Sequence, residues 1–140
     1  MDIKSKLISR ALQGSASICL PENEDDRVVK AAKKMERIGF DVIDCNELKK
    51  NINEYYDLIS RKKFSKNWSE EMKVNFLKSN LNLSLSALEC GHVESIVAGA
   101  VHTTPDVLRA CLRIIGLKKN TKSISSAFFM ISPKNDKLFI

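Results

Sequence analysis

Apolar residues recur at helical spacing at the start of the chain, where Ile3, Leu7, Ile8, Ala11 and Leu12 share one face and Gly14 supplies a stop. The period then changes. Ser17-Ile18-Cys19-Leu20-Pro21 reads as a short buried strand. Val28, Val29, Ala31, Ala32, Met35 and Ile38, closed by Gly39, predict a second helix, and Phe40 to Cys45 alternates as a second strand, after which Asn46 is placed to cap a short helix. Strand, helix, strand at this spacing is the mark of a parallel βαβ unit.

From Asn53, the positions Tyr55, Tyr56 and Ile59 predict a further helix with Arg61, Lys62 and Lys63 in and beyond its last turn. Ser69, followed by Glu70 and Glu71, starts another through Met72, Phe76 and Leu77, and Leu81, Leu83, Leu85 and Leu88 carry the apolar signal on to Gly91. Asn80 to Ser86 also alternates with period two, but a strand there would leave too short a crossover to pair in parallel with a strand at Ile96, so helix is expected. Ser95 to Gly99 is expected as strand. Pro105 to Ile115 is expected as helix, with Thr104 as N-cap and a buried face of Val107, Leu108, Cys111, Leu112 and Ile115. Ser123 to Ile131 reads as a strongly apolar strand, Pro133 to Asp136 as a turn and Lys137 to Ile140 as the start of one more strand. Ending inside an apolar strand suggests the front part of something longer.

The chain has 140 residues, enough for one domain with a real core, and its 44% hydrophobic and 29% charged content excludes a disordered or fibrous chain. The net charge of +6 is uneven: residues 61–140 carry 13 basic and 6 acidic groups, whereas residues 1–60 carry 10 and 11. Such a field suits either a solvated basic surface or an anion-binding one. The cations are scattered and have little aromatic surface beside them, which argues against nucleic acid as partner. Cys19, Cys45, Cys90 and Cys111 are widely spaced, without the patterns of a zinc site or a disulfide framework, and read as small buried hydrophobes of a reducing compartment. With no signal-peptide pattern and no apolar run near the ~20 residues of a membrane span, the expected location is the cytoplasm, away from the membrane.

The candidate chemistry lies at residues 97–109. A strand ends at Gly99, a polar turn follows with His102, Thr103 and Thr104, and a helix opens at Pro105 with Arg109 just over one turn in. In an open parallel sheet, ligands sit beyond the carboxyl ends of the strands, so this turn is where a phosphate is expected. Arg109 opposes the helix dipole unless an anion faces it; Asp106 and an incoming phosphate are both candidates. The acidic run Glu22 to Asp26 precedes a helix and reads as capping.

Three ordered segments resemble the phosphate acetyl/butyryltransferase family in wording and order: Leu20-Pro21-Glu22-Asn23-Glu24-Asp25-Asp26-Arg27, then Val97-Ala98-Gly99-Ala100-Val101-His102-Thr103-Thr104-Pro105-Asp106-Val107-Leu108-Arg109, then Ser125-Ser126-Ala127-Phe128-Phe129-Met130. The resemblance is to the N-terminal portion of phosphate acetyltransferase. It implies an α/β fold, a parallel-sheet α/β/α sandwich, with residues 1–140 as the incomplete first domain of an isocitrate dehydrogenase-like two-domain protein whose active site lies in the interdomain cleft. It implies reversible acetyl transfer from acetyl-CoA to inorganic phosphate, giving CoA and acetyl phosphate, with no metal and no cofactor beyond CoA as substrate. By similarity Arg109 matches a catalytic arginine, Arg61 falls where a second such arginine occurs, and His102, Thr103 and Thr104 line the substrate cleft.

There are departures from the family pattern. The Ser-Arg pair and the Asp that act in the family's active site belong to the C-terminal half, outside these residues, so activity is expected only with a separately encoded half or another copy in a homodimer. Otherwise the chain is a non-catalytic remnant or a CoA- or phosphate-binding module. One βα unit of the family is missing, since Phe40 to Cys45 runs almost directly into the Tyr55 helix where the family has an additional helix and strand, and Ala110 and Glu94 replace a Pro and an Asp.

Overall fold

In the computed structural model, which describes residues 2–134 and 137–140, the backbone falls into two units, residues 16–116 in one, and the segments up to Ser15 and from Leu117 onward in the other. Helix α1 (Ile3–Gln13) opens the second of these. Asp2 caps it, its carboxylate accepting from the Ser5 amide at 2.7 Å, and Gly14 ends it as the sequence predicts.

The 16–116 unit is built on β1 (Ser17–Cys19). Helix α2 (Asp26–Ile38) starts at the cap Asp25 and stops at Gly39, whose φ of 109° is the left-handed conformation that lets its amide and that of Phe40 close on the last carbonyls. The chain returns as β2 (Asp41–Ile43), parallel to β1 with Cys19 opposite Ile43. The next strand, β3 (Ser95–Ile96), pairs with the other side of β1, with Cys19 opposite Ile96, so the order is β2-β1-β3. The first strand in sequence is therefore the central one, and its two neighbours are reached by connections leaving in opposite directions. Glu94 pins the open end of the sheet, accepting from the Ser17 amide at 3.0 Å.

Between β2 and β3 the chain is helical. One-turn α3 (Cys45–Leu48) leads through a 3₁₀ turn into α4 (Ile52–Arg61), and α5 (Glu70–Leu77) and α6 (Asn80–Glu89) follow. The cap of α3 is Asp44 rather than the expected Asn46, since the Asp44 carboxylate takes the Asn46 amide at 2.6 Å. The apolar signal expected to continue from Met72 to Leu88 is broken at Ser79, which caps α6. Helix α6 has the period-two leucines because it is buried nearly all round, Leu81, Leu83, Leu85 and Ala87 all facing core. Ser84 and Ser86 satisfy their buried hydroxyls on the carbonyls of Leu81 and Asn82, at 3.0 and 2.8 Å. Tyr55 and Ile59 of α4 complete this core.

Helix α7 (Thr104–Ile114) packs on α6. Its cap is Thr103, one residue before the expected Thr104, with Pro105 in its first turn. The buried side chains are Ala110 and Ile114, with Val107 and Cys111 half-buried, whereas Leu108, Leu112 and Ile115 are exposed by 41%, 44% and 38%. The buried face is thus rotated away from the expected one, toward the side that α6 covers. Of the expected strand from Ser123 to Ile131, only β4 (Met130–Ile131) enters a ladder, antiparallel to β5 (Leu138–Phe139). The preceding apolar residues, with Phe128 80% exposed, pair with no strand among the described residues. Pro133 and Lys134 turn as expected, while Asn135 and Asp136 lie outside the described residues.

The two faces of α7 separate in a stability measurement. Ile114→Ala is expected to cost about 2–5 kcal/mol and Leu112→Ala less than about 1 kcal/mol in urea unfolding; the reverse order would make the leucine face the buried one.

Candidate functional site

The turn from Gly99 to His102 lies beyond the carboxyl end of β3, beside the end of β1, where the two connections part. Gly99 has a φ of 115°, open to glycine and strained for other residues. With that bend, four successive amides converge on one point, the arrangement that holds anions in many proteins. The anion they hold is the chain's own. One oxygen of the Glu22 carboxylate accepts from the amides of Gly99 and Ala100 at 3.0 and 2.7 Å. The other accepts from those of Val101 and His102 at 3.0 and 2.7 Å and from the His102 ring Nδ1–H at 2.8 Å. Pro21 and Glu22 follow β1 directly, so the side chain leaves the end of the central strand and reaches across to the neighbouring one.

Glu22 is 6% exposed. Burial pushes its carboxyl up, but the hydrogen bonds from the amides of His102, Val101 and Ala100 and from the His102 ring outweigh burial and hold it at about 2. The position expected for a phosphate is therefore filled by a carboxylate. Of the acidic run read as capping, Asp25 does cap α2, and Glu22 does not. Arg27 secures the same turn from its outer side, pairing with Asp25 through Nε and Nη2 at 2.9 and 2.8 Å and donating to the Ala100 carbonyl at 2.9 Å.

The other residues singled out in the sequence spread over different surfaces. His102 borders a polar cavity of about 620 Å³ with Asn23, Asn46, Lys49, Lys78 and Asn80. Thr103 is engaged as cap of α7, its hydroxyl donating to the Asp106 carboxylate at 2.7 Å and accepting from the Asp106 amide at 3.3 Å. Thr104 is exposed in the first turn. Of the two candidate partners of Arg109, Asp106 is the one in contact, at 3.0 Å. The Thr103 hydroxyl, and after it Arg109, hold the Asp106 carboxyl below the ordinary range.

Arg109 borders a second cavity of about 650 Å³, between α7 and the end of α4, whose floor is Phe64, Leu108 and Leu112 and whose rim carries Lys62, Lys63 and Arg113. Arg61 is exposed at the end of α4 and lines neither cavity; its neighbours Lys62 and Lys63 take that place. Lys62 is paired with Glu89 at 2.9 Å, whereas Lys63 and Arg113 have no ion-pair partner among the described residues.

Because Glu22 titrates at about 2 in the fold against an ordinary 4.5, its contribution is fully present above pH 4.5 and is lost as pH falls toward 2. Glu22→Gln is expected to cost roughly 1–3 kcal/mol at neutral pH, since an amide cannot accept on both sides. The variant should also show a weaker loss of stability between pH 5 and about 2 in urea unfolding series. An unchanged midpoint at pH 7 would remove Glu22 from this role.

A family model described as phosphate acetyl/butaryl transferase matches residues 33–140. The phosphate acetyltransferase of Clostridium acetobutylicum is 29% identical, with 97% of this chain and 48% of that protein covered. That of Nitrosomonas europaea is 26% identical over 92% of this chain and 22% of its own length. The chain thus spans half or less of the length of these relatives. The alignment with the Clostridium protein is 165 positions long against a chain of 140, so that relative carries residues this chain lacks. A phosphotransacetylase from Staphylococcus aureus superposes with a TM-score of 0.72 at 21% identity, covering 91% of this chain and 48% of that one, a likeness of fold. Together with the α/β fold and its parallel sheet, the match over residues 33–140 places the chain in the phosphate acetyl/butaryl transferase family.

Proposed function

We propose that this chain supplies one wall of a phosphate acetyltransferase site, binding CoA and phosphate for reversible acetyl transfer, in the cytoplasm and without metal or further cofactor. The observation that carries the reading, beside family membership, is the groove next to α7, where Lys62, Lys63, Arg109 and Arg113 surround an apolar floor. Apolar surface rimmed by cations suits a ligand that joins an uncharged acyl-thioester arm to phosphate groups. Arg109 is the residue assigned to the transferring phosphate. Its contact with Asp106 is exposed and weak enough to be exchanged for a dianion.

Transfer requires a phosphate oxygen to attack the thioester carbonyl while CoA leaves as thiolate; the reverse direction requires a base for the CoA thiol. The lining of the groove has cations but neither carboxylate nor imidazole, and His102 is committed to Glu22. The base is therefore assigned to residues beyond these 140, in a C-terminal half encoded in continuation or separately. Residues 1–140 alone are proposed to bind without turnover.

The purified polypeptide is expected to form no acetyl phosphate from acetyl-CoA and phosphate, and to form it when combined with the C-terminal half of a family enzyme. Calorimetry should show binding of CoA that Arg109→Ala weakens about tenfold, the loss of one charge-assisted contact. Unchanged affinity in that variant would overturn the assignment of Arg109. Binding without turnover in the combined assay would leave the non-catalytic module as the better reading.

A further inference from the structure

Away from the turn and the groove, the core holds a pair of reactive groups with no part in either. Cys19, the last residue of β1, and Cys45, the first of α3, are 0% and 1% exposed, with their sulfurs 3.6 Å apart. The register brings them together: Cys19 stands opposite Ile43, so the chain leaving β2 carries Cys45 over the end of β1 within two residues. A buried thiol is ordinarily inert. In this pair, the hydrogen bond to Cys45 and then burial push the Cys19 thiol up, while the same hydrogen bond holds the Cys45 thiol below its usual range.

The residues next to the pair in sequence reach the surface. Leu20 and Asp44 border a surface cavity of about 210 Å³, and Asn46, on the other side of Cys45, borders the polar cavity of about 620 Å³. Cys90 and Cys111 are half-buried and more open, but burial raises both thiols. Neither of them has a second cysteine sulfur at hydrogen-bonding distance among the described residues.

We propose that Cys19 and Cys45 form an oxidisable dithiol, converted by hydrogen peroxide into an intramolecular disulfide that ties the end of the central strand to the start of α3. The Cys45 thiolate attacks one peroxide oxygen; the O–O bond breaks, hydroxide leaves and takes a proton as water, and Cys45 becomes a sulfenic acid. The Cys19 sulfur then attacks the Cys45 sulfur. The S–S bond forms as the S–O bond breaks, and the Cys19 proton leaves with the hydroxyl as a second water. Two thiols are oxidised by two electrons and one peroxide is reduced to two waters. Closing the gap to the ~2.05 Å of a disulfide needs side-chain rotation and a small approach of α3 to β1.

The test uses the native chain and a Cys90→Ser/Cys111→Ser variant, which keeps both core thiols. Each is exposed to hydrogen peroxide, quenched with catalase, unfolded in the presence of iodoacetamide and mapped by mass spectrometry. The expected product is a Cys19–Cys45 cross-linked peptide lighter by two hydrogens, reversed by dithiothreitol, formed while far-ultraviolet circular dichroism stays that of the folded chain. In Cys19→Ser, dimedone is expected to trap a sulfenic acid on Cys45. Recovery of both core cysteines as alkylated thiols, or a cross-link that forms only as the dichroism is lost, would overturn the proposal. So would oxidation of Cys45 to sulfinic acid in place of the cross-link.

Discussion

Four backbone amides that point at one place must be given an anion or left in water, and in this chain they are given Glu22. The carboxylate is delivered from the end of the central strand to the turn after the neighbouring strand, and it fixes both. Arg27 holds the same turn by its Ala100 carbonyl. The first two sequence segments that resemble the family, separated by some seventy residues, are therefore two sides of one contact, and their joint presence has a physical reason. Without Glu22, the turn would carry converging donors in a half-buried place, a costly arrangement.

An internal anion also divides the electrostatics of the unit. The amides at the switch point of the sheet are saturated, so they add little attraction for a ligand. The cations that border the groove are side chains at the end of α4 and along α7. In the acyl-transfer cleft proposed above this division would have a use: one set of groups sets the geometry of the loop that leads into α7, and the other would meet the substrate. Arg109 stands between the two, on the helix that the turn positions, with an exposed partner of its own.

Local chemistry was legible in the sequence wherever a residue acts on its near neighbours. Gly14 and Gly39 as stops and a cap within the acidic run rest on interactions within a few positions, whereas the helical reading of the leucines in α6 rests on the crossover length that parallel pairing demands. The misplaced caps, Asp44 for Asn46 and Thr103 for Thr104, are shifts of one or two residues between equally suitable acceptors. The buried face of α7 was not legible, because its stripe is wider than what α6 covers and only the partner decides which half is buried. The apolar stretch before Met130 has a strand's composition, but pairing depends on a neighbour that composition does not specify. Glu22 was hidden for the same reason: its five donors lie 77 to 80 positions away, and nearby acidic residues offered a sufficient local explanation. A single carboxylate directly after the Leu-Pro that ends a strand, and three residues ahead of the true cap, was the available signal.

The placement of β1 at the centre has a consequence for the order in which the molecule acquires its structure. As the chain is synthesised, β1, α2 and β2 emerge together and can pair locally, but the opposite edge of β1 waits until Ile96 has been made, and Glu22 waits for the residues just after it. During that interval the carboxylate is an ordinary hydrated side chain and the central strand is an edge strand. Closing a loop of this length costs about 4 kcal/mol in chain entropy, and it must be met at once by strand pairing, the packing of α6 under α7 and the amides of the turn. Completion of the sheet and capture of Glu22 thus form one late cooperative event. A nascent chain that stops short of Ser95 has the helices up to α6 and half the sheet, and no lock.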